Sequence, residues 1–306
     1  MYILSILIPT YKRLRFLEKN ISFLSKIITS NNWQENICIL VSDNHSDDGT
    51  FEFMSAKDKE NEFIFFVEQE RNIGAEENFL YLLKWAKSSY IMFLGDDDYL
   101  SPQYVSDVMR YISTRRIGAI IPNVINIDEE GKRTDEWMRD KDCKNTLIES
   151  GNGCLKYSFL GHQMSGLVFK RDGLYEQYMS SGYHTMYPTV YFLAYNILRY
   201  PFVLAFREPI SVTQNKIKHW GYSEDGLIGE LFTPFIILRV PYFRRIYLEL
   251  YYQFAFNGVK VVYLVNQDFF KFLKKIFSSN AITIVGKICY SLQFLLVCVA
   301  GKIKKK

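Results

Sequence analysis

Cysteine is scarce and unpaired in this chain. Cys38, Cys143, Cys154, Cys289 and Cys298 are scattered, and no CxxC pair occurs. That distribution argues against a structural zinc site and for free thiols in a reducing cytosol. A basic segment ahead of an apolar one is missing at the N-terminus, where Met1–Ile8 runs directly into Pro9 and Thr10. The stretch reads as a first buried strand and not as a signal peptide. A long uncharged apolar run is also missing. Ile288–Ala300 comes nearest, but Gln293 interrupts it and extension back to Ile282 takes in Lys287. A spanning helix needs about 20 mainly apolar residues, so a surface or re-entrant helix is expected there. Positive charge is deficient in the body: residues 1–230 carry 25 basic and 31 acidic side chains. Nucleic acid is therefore not an expected partner.

What is present is a large apolar complement. Hydrophobic residues make up 48% of the 306 and aromatic residues 16%, enough for one domain with an appendage or for two domains. Strand-like and helix-like segments alternate. Strands are expected at Tyr2–Ile8, Ile37–Val41, Phe63–Val67, Tyr90–Leu94 and Ile117–Ile121. Helices are expected at Leu14–Ile28, Ala75–Ala86 and Gln103–Ser113, the first with Leu14, Leu17, Ile21, Leu24 and Ile28 at helical spacing. The alternation implies an α/β fold with a mainly parallel sheet covered by helices on both faces. Further on, Asp128–Gly131 reads as a turn, Ser165–Lys170 as a strand and Thr189–Leu198 as a helix.

Polar clusters follow the strands at Thr10, Asp43, Arg71–Asn72 and Asp96–Asp98. In open α/β sheets ligands bind at the carboxyl ends of the strands, so these clusters are expected on one rim. The densest is Gly95-Asp96-Asp97-Asp98 after the apolar Tyr90–Leu94. Buried carboxylates require a partner. One reading is a hard divalent cation, Mn2+ or Mg2+, held together with substrate phosphate. The other is a polar turn leading into the helix N-cap at Ser101-Pro102.

Motif order bears on that choice. Ile8-Pro9-Thr10-Tyr11-Lys12-Arg13 is followed by Val41-Ser42-Asp43-Asn44-His45-Ser46-Asp47-Asp48-Gly49-Thr50. Then come Arg71-Asn72-Ile73-Gly74 with Asn78, and the acid run. Together they resemble the family 2 glycosyltransferases of the GT-A fold, whose motifs DNxSxDGT and RNxGxxxN they match with one residue inserted before Gly49. The resemblance covers residues 3 to about 122 well and continues more weakly to about 225. Ser165–Arg171 resembles the abequosyltransferase branch. A nucleotidyltransferase, the main alternative, would show a glycine-rich basic loop after the first strand, and Ile8–Tyr11 contains no glycine. A catalytically degenerate membrane-binding protein is the other alternative.

The resemblance implies a donor site for a nucleoside-diphosphate sugar, with UDP the expected nucleotide. Asp43 would accept the N–H of the base, and Pro9, Thr10, Tyr11 and Asn44 would shape the base and ribose pocket. Arg13 and Arg71 would approach the base or the diphosphate, as suits the forked guanidinium. The usual metal motif is Asp-x-Asp-Asp, and Gly95 replaces its first acid. Asp97 then becomes the primary metal ligand, Asp96 faces the ribose, and Asp98 orients a metal-bound water, acts as base, or caps the next helix. The family's general base often belongs to a Glu-Asp pair, but the corresponding Gly182–Thr185 holds no acid. His184 is the nearest substitute, with His162 and Asp98 as rivals. His219, in a later loop that closes on the donor, is a candidate metal or phosphate contact.

Residues 231–306 differ from the body, with twelve basic residues against Glu249 and Asp268. Along Asp268–Phe277 the apolar Phe269, Leu273 and Ile276 oppose Lys271, Lys274 and Lys275, the pattern of a helix lying in a lipid interface. The domain expectation is a GT-A domain over 1–230, with nucleotide and acceptor halves meeting near 122. A helical, membrane-associating region would follow over 231–306. An anionic membrane surface, peripheral attachment at the cytoplasmic face, and a glycan or lipid-linked glycan acceptor complete the expected partners.

Overall fold

The computed structural model describes residues 2–135, 138–185, 187–214, 230–256 and 269–303. Eight strands form one mixed sheet in the order β3-β2-β1-β4-β7-β5-β8-β6. Its first part, β1 (Leu4–Thr10), β2 (Ile37–Asp43), β3 (Ile64–Glu68) and β4 (Tyr90–Phe93), is parallel throughout. The parallel arrangement needs crossovers, which α1 (Leu14–Ser30), α2 (Thr50–Glu60) and α3 (Ala75–Trp85) supply. Period-two alternation divides β1 between two cores. Leu4, Ile6 and Ile8 pack with Leu17 and Ile21 of α1 and with Val105 and Val108 of α4 (Pro102–Thr114). Leu7 turns to the other face, with Phe79 of α3, Phe93 and Phe192. There the rings of Phe79 and Phe93 stack with centroids 3.6 Å apart.

Beyond β4 the sheet becomes mixed. The strand expected over Ser165–Lys170 shrinks to β7 (Val168–Lys170), antiparallel to both neighbours. Gly166 adopts φ +75° and a Cβ there would meet Ile210 at 2.9 Å, so this segment turns where a strand would continue. The expected strand Ile117–Ile121 is longer, β5 (Ala119–Ile127), because the twelve-residue β8 (Phe202–Thr213) lies parallel along it. β6 (Asn145–Ile148) closes the far edge. The Asp128–Gly131 turn forms as expected, with Ile127 bridged to Arg133.

A 3-10 helix (Asn152–His162), α5 (Leu174–Ser180) and α6 (Pro188–Ile197) cover one face. The C-terminal helices α7 (Thr233–Ile237), α8 (Tyr242–Tyr251), α9 (Phe269–Ser278) and α10 (Ile284–Ile303) pack onto that cover. Leu248, Ile276, Ile282 and Phe294 belong to the same apolar cluster as Phe159 and Phe192. Glu249 of α8 is buried and accepts from the Thr283 backbone N–H at 3.0 Å and its hydroxyl at 2.5 Å. This anchors the start of α10, where a carboxylate also suits the helix dipole. Of the apolar stripe expected to enter lipid, Ile276 is fully buried against the protein and Leu273 half-buried, while Phe270 and Phe277 are exposed. Among the described residues, no helix is long and apolar enough to cross a membrane.

Candidate active site at the carboxyl ends of the parallel strands

Parallel pairing brings the polar clusters to one rim. Thr10 lies opposite Asp43 in the β1–β2 register, and Asp43 lies opposite Glu68 in β2–β3. The acid run follows β4 on the other side of β1. Asp96, Asp97 and Asp98 are 4%, 7% and 5% exposed, so three adjacent carboxylates are withdrawn from water. Burial, aided by repulsion from Asp97, pushes both Asp96 and Asp98 up to about 7, Arg13 opposing the shift at Asp96. The Arg13 guanidinium bears on this run: its Nη2 donates to Asp97 Oδ2 while Nη1 lies 3.4 Å from Asp96 Oδ1.

The three acids differ in their surroundings. Asp96 Oδ2 accepts from the Thr10 hydroxyl at 2.8 Å. Asp98 accepts from the Ser165 hydroxyl, from the Thr213 backbone N–H at 2.8 Å, and from Gln163 Nε2 at 3.5 Å. These donors tie Asp98 into the bracing of the loop. The loop backbone is held by Asn20, whose Nδ2 donates to the Gly95 and Asp98 carbonyls at 2.9 Å each. Gly95 has a local reason. A Cβ there would stand 3.0 Å from Asp98 Oδ2 and 3.3 Å from both Asp97 Oδ1 and Ser165 Oγ. The first acid of the usual motif does not fit this loop without displacement.

On the β2 side, Asp43 is fully buried and accepts from the Ser46 N–H at 3.0 Å and the Ser46 hydroxyl at 2.5 Å. Burial raises its pKa despite those bonds. Asn44 clasps the next loop: its Nδ2 donates to Asn72 Oδ1 at 3.0 Å, and its Oδ1 accepts from the Ile73 N–H at 2.8 Å. Its amide shapes the rim from beneath. Asn78 braces β2, bonding both the hydroxyl and the carbonyl of Ser42. Arg71 is exposed. Nearby in sequence, Glu76 accepts from Tyr178 Oη at 2.8 Å and the Thr185 N–H at 3.0 Å. Tyr11 presents an exposed ring, with Lys12 Nζ 5.5 Å from its centroid, and Pro9 is half-buried at the end of β1.

The histidines separate. His184 lies on the half-exposed segment before α6, Nδ1 3.5 Å from Glu76 Oε1. His162 bonds the Phe159 carbonyl at 2.8 Å through Nδ1 and sets its ring edge to Phe256. Its neighbour Gln163 reaches Asp98. His219 lies outside the described residues. Asn20, Gln163, Ser165 and Thr213 were not foreseen as site residues. Asn20 left a signal, being the polar member of the buried stripe Leu17, Asn20, Ile21, Leu24. Thr213 left none, since its part depends on β8 pairing with β5.

Among the described residues no cluster of three or more His, Cys, Asp or Glu could by itself hold a metal ion. The donor set nevertheless suits a hard cation: a carboxylate at Asp97, buried between two further acids. One or two carboxylates completed by phosphate oxygens is a usual Mg2+ environment.

Comparisons with known proteins bear on the family and the fold. The profile of the glycosyl transferase family 2 matches residues 5–167, more than half of the chain. The abequosyltransferase RfbV of Salmonella typhimurium is 25% identical over 182 residues, which are 56% of this chain and 53% of that protein. The chain thus matches about half the length of that relative. Crystal structures of S. aureus TarS 1-349 share the fold. The one in complex with UDP-GlcNAc has a TM-score of 0.70 at 11% identity, covering 99% of this chain and 92% of the other. The mannosyltransferase PcManGT from Pyrobaculum calidifontis, in complex with GDP-Man and Mn2+, gives a TM-score of 0.52 at 12% identity, covering 97% and 87%. The nucleotidyltransferase alternative is set aside by the family match, and the chain belongs to the family 2 glycosyltransferases, with an abequosyltransferase-like sequence.

Proposed function

We propose that this protein transfers a sugar, with inversion, from a UDP-linked donor to a glycan or lipid-linked glycan of the cell envelope. The observation that carries the reading is the buried acid run beside Arg13, on the same rim as Asp43. In this reading the base lies toward Asp43 and Tyr11, and the diphosphate crosses the end of β1. Asp97 would hold Mn2+ or Mg2+, which when bound offsets negative charge on the departing diphosphate. Arg71, exposed and drawn to neither Glu70 nor Glu76, is available to the same phosphates. Asp96 stays on Thr10 and Asp98 on Ser165 and Thr213, holding the Asp97 carboxylate at the strand end.

Inversion requires a base on the acceptor hydroxyl opposite the leaving group. We assign that part to His184, whose Nδ1 faces Glu76 and leaves Nε2 for the proton. The donor assignment is tested by thermal shift with a panel of nucleotide sugars and Mn2+. UDP-sugars should raise the melting temperature by several degrees, because a ligand stabilises only the state it binds. Equal shifts from all nucleotides, or none, would remove the UDP assignment.

Membrane attachment at the cytoplasmic face is part of the same proposal. Its support is the outward apolar face of the C-terminal helices, with Phe270, Phe277, Ile284, Ile288, Leu292 and Leu296 all exposed. The surrounding sequence is rich in lysine, each worth on the order of 1 kcal/mol at an anionic surface. Ile288→Ser combined with Leu292→Ser changes this face without entering the core. Co-sedimentation with vesicles containing phosphatidylglycerol should fall severalfold, and binding at the level of the unsubstituted protein would refute the attachment.

A further inference from the structure

The acid run has a resident partner. Arg13 reaches Asp97 through Nη2 and approaches Asp96 to 3.4 Å through Nη1, and its side chain is 29% exposed. The guanidinium carbon stands 5.1 Å from the Phe16 ring centroid. The backbone beneath it is pinned. The Lys12 N–H donates to Ser46 Oγ at 2.7 Å, and the Leu14 N–H donates to Asp48 Oδ2 at 3.0 Å. Lys12 itself adopts φ +54°, a left-handed conformation uncommon for a residue with a Cβ. Arg13 is thus carried on a turn fastened to the Asp43–Asp48 loop while its charge rests on the acids.

We propose that Arg13 is a displaceable counter-cation: it occupies Asp97 in the metal-free protein, competes there with the divalent ion, and passes to the diphosphate when donor and metal bind together. The inference rests on the donor reading above. A dication and a guanidinium cannot share one buried carboxylate without like-charge repulsion. Metal alone must therefore loosen Arg13 from Asp97 while supplying no phosphate to receive it. A diphosphate running from the Asp43 side to Asp97 passes the turn that carries Arg13, and accepts both donors of the fork. Nucleotide and metal each then make binding of the other easier, and the coupling is equal in both directions. Bare metal should bind weakly for this reason, in addition to the scarcity of carboxylate ligands.

The test measures Mn2+ binding to the full chain by the loss of the free-ion paramagnetic resonance signal, with and without UDP. Arg13→Gln should bind Mn2+ alone about tenfold more tightly than the unsubstituted protein and gain less from UDP. Arg13→Lys, which keeps the charge but not the fork, should fall between them, and it carries the test if the glutamine variant melts prematurely. Mn2+ affinity of Arg13→Gln equal to or below that of the parent in the absence of UDP would overturn the competition. If both proteins bind Mn2+ with UDP equally well and with the same UDP-dependent gain, the exchange fails while the donor reading stands. If neither binds Mn2+ with UDP present, the donor reading fails and the exchange with it.

Discussion

Asp97→Asn is expected to lower sugar transfer by about a thousandfold while leaving the melting temperature near that of the parent. The magnitude is that of removing one group positioned to meet charge developing at a reacting centre. The substitution keeps shape and removes charge. It leaves Thr10 on Asp96 and Ser165 and Thr213 on Asp98, so the loop retains its bracing. It also relieves repulsion between neighbouring buried carboxylates, which opposes the loss of the Arg13 contact. Initial rates with the UDP-sugar that stabilises the protein would be compared at saturating Mn2+. Asp47→Asn is the control, since Asp47 is an exposed carboxylate paired with Lys12 at 2.8 Å. Turnover of the Asp97 variant within about threefold of the parent would remove Asp97 from the reaction.

Asn20→Leu is expected to destabilise the protein by about 2 kcal/mol and to reduce transfer together with it. Leucine matches asparagine in shape but offers no donor, so the Gly95 and Asp98 carbonyls each lose a 2.9 Å bond. A buried acceptor left without a partner costs about 1–3 kcal/mol. Two effects work the other way. Asn20 Oδ1 has no hydrogen-bond partner, so its removal ends one existing penalty. The added apolar group also joins Leu17, Ile21 and Leu24 in the core. The net figure is therefore below the sum for two lost bonds. Urea unfolding would measure it, and an unchanged midpoint would show that the acid loop holds its place without Asn20. Weakened Mn2+ binding in the presence of UDP, beyond any effect on folding, would show that the loop backbone sets the position of Asp97.

Much of the nucleotide half was legible because local chemistry and the parallel sheet agree. Near-continuous apolar runs at Leu4–Ile8 and Ile37–Val41 suit strands covered on both faces, and the polar residues after each run fall on one rim. The second half was harder to read for the same reason. β8 is a long strand, and its residues reveal neither the parallel partner β5 nor the contact of Thr213 with Asp98. The helix over Phe269–Ser278 shows the limit of periodicity. A stripe such as Leu273 and Ile276 is the same whether it faces lipid or protein, and here Ile276 faces protein.

The sequence by itself determined the family, the alternation of strands and helices, and the residue types that meet at the rim, since these follow from pattern and motif order. Tertiary structure alone decided their partners. It joined Arg13 to Asp97, tied Asp98 to Ser165 and Thr213, crowded the position of Gly95, and placed His184 opposite Glu76. The physical reason is that ion pairs and buried hydrogen bonds depend on distance in space. Sheet register and helix packing set those distances, and residues far apart in the chain need not signal one another in any local pattern.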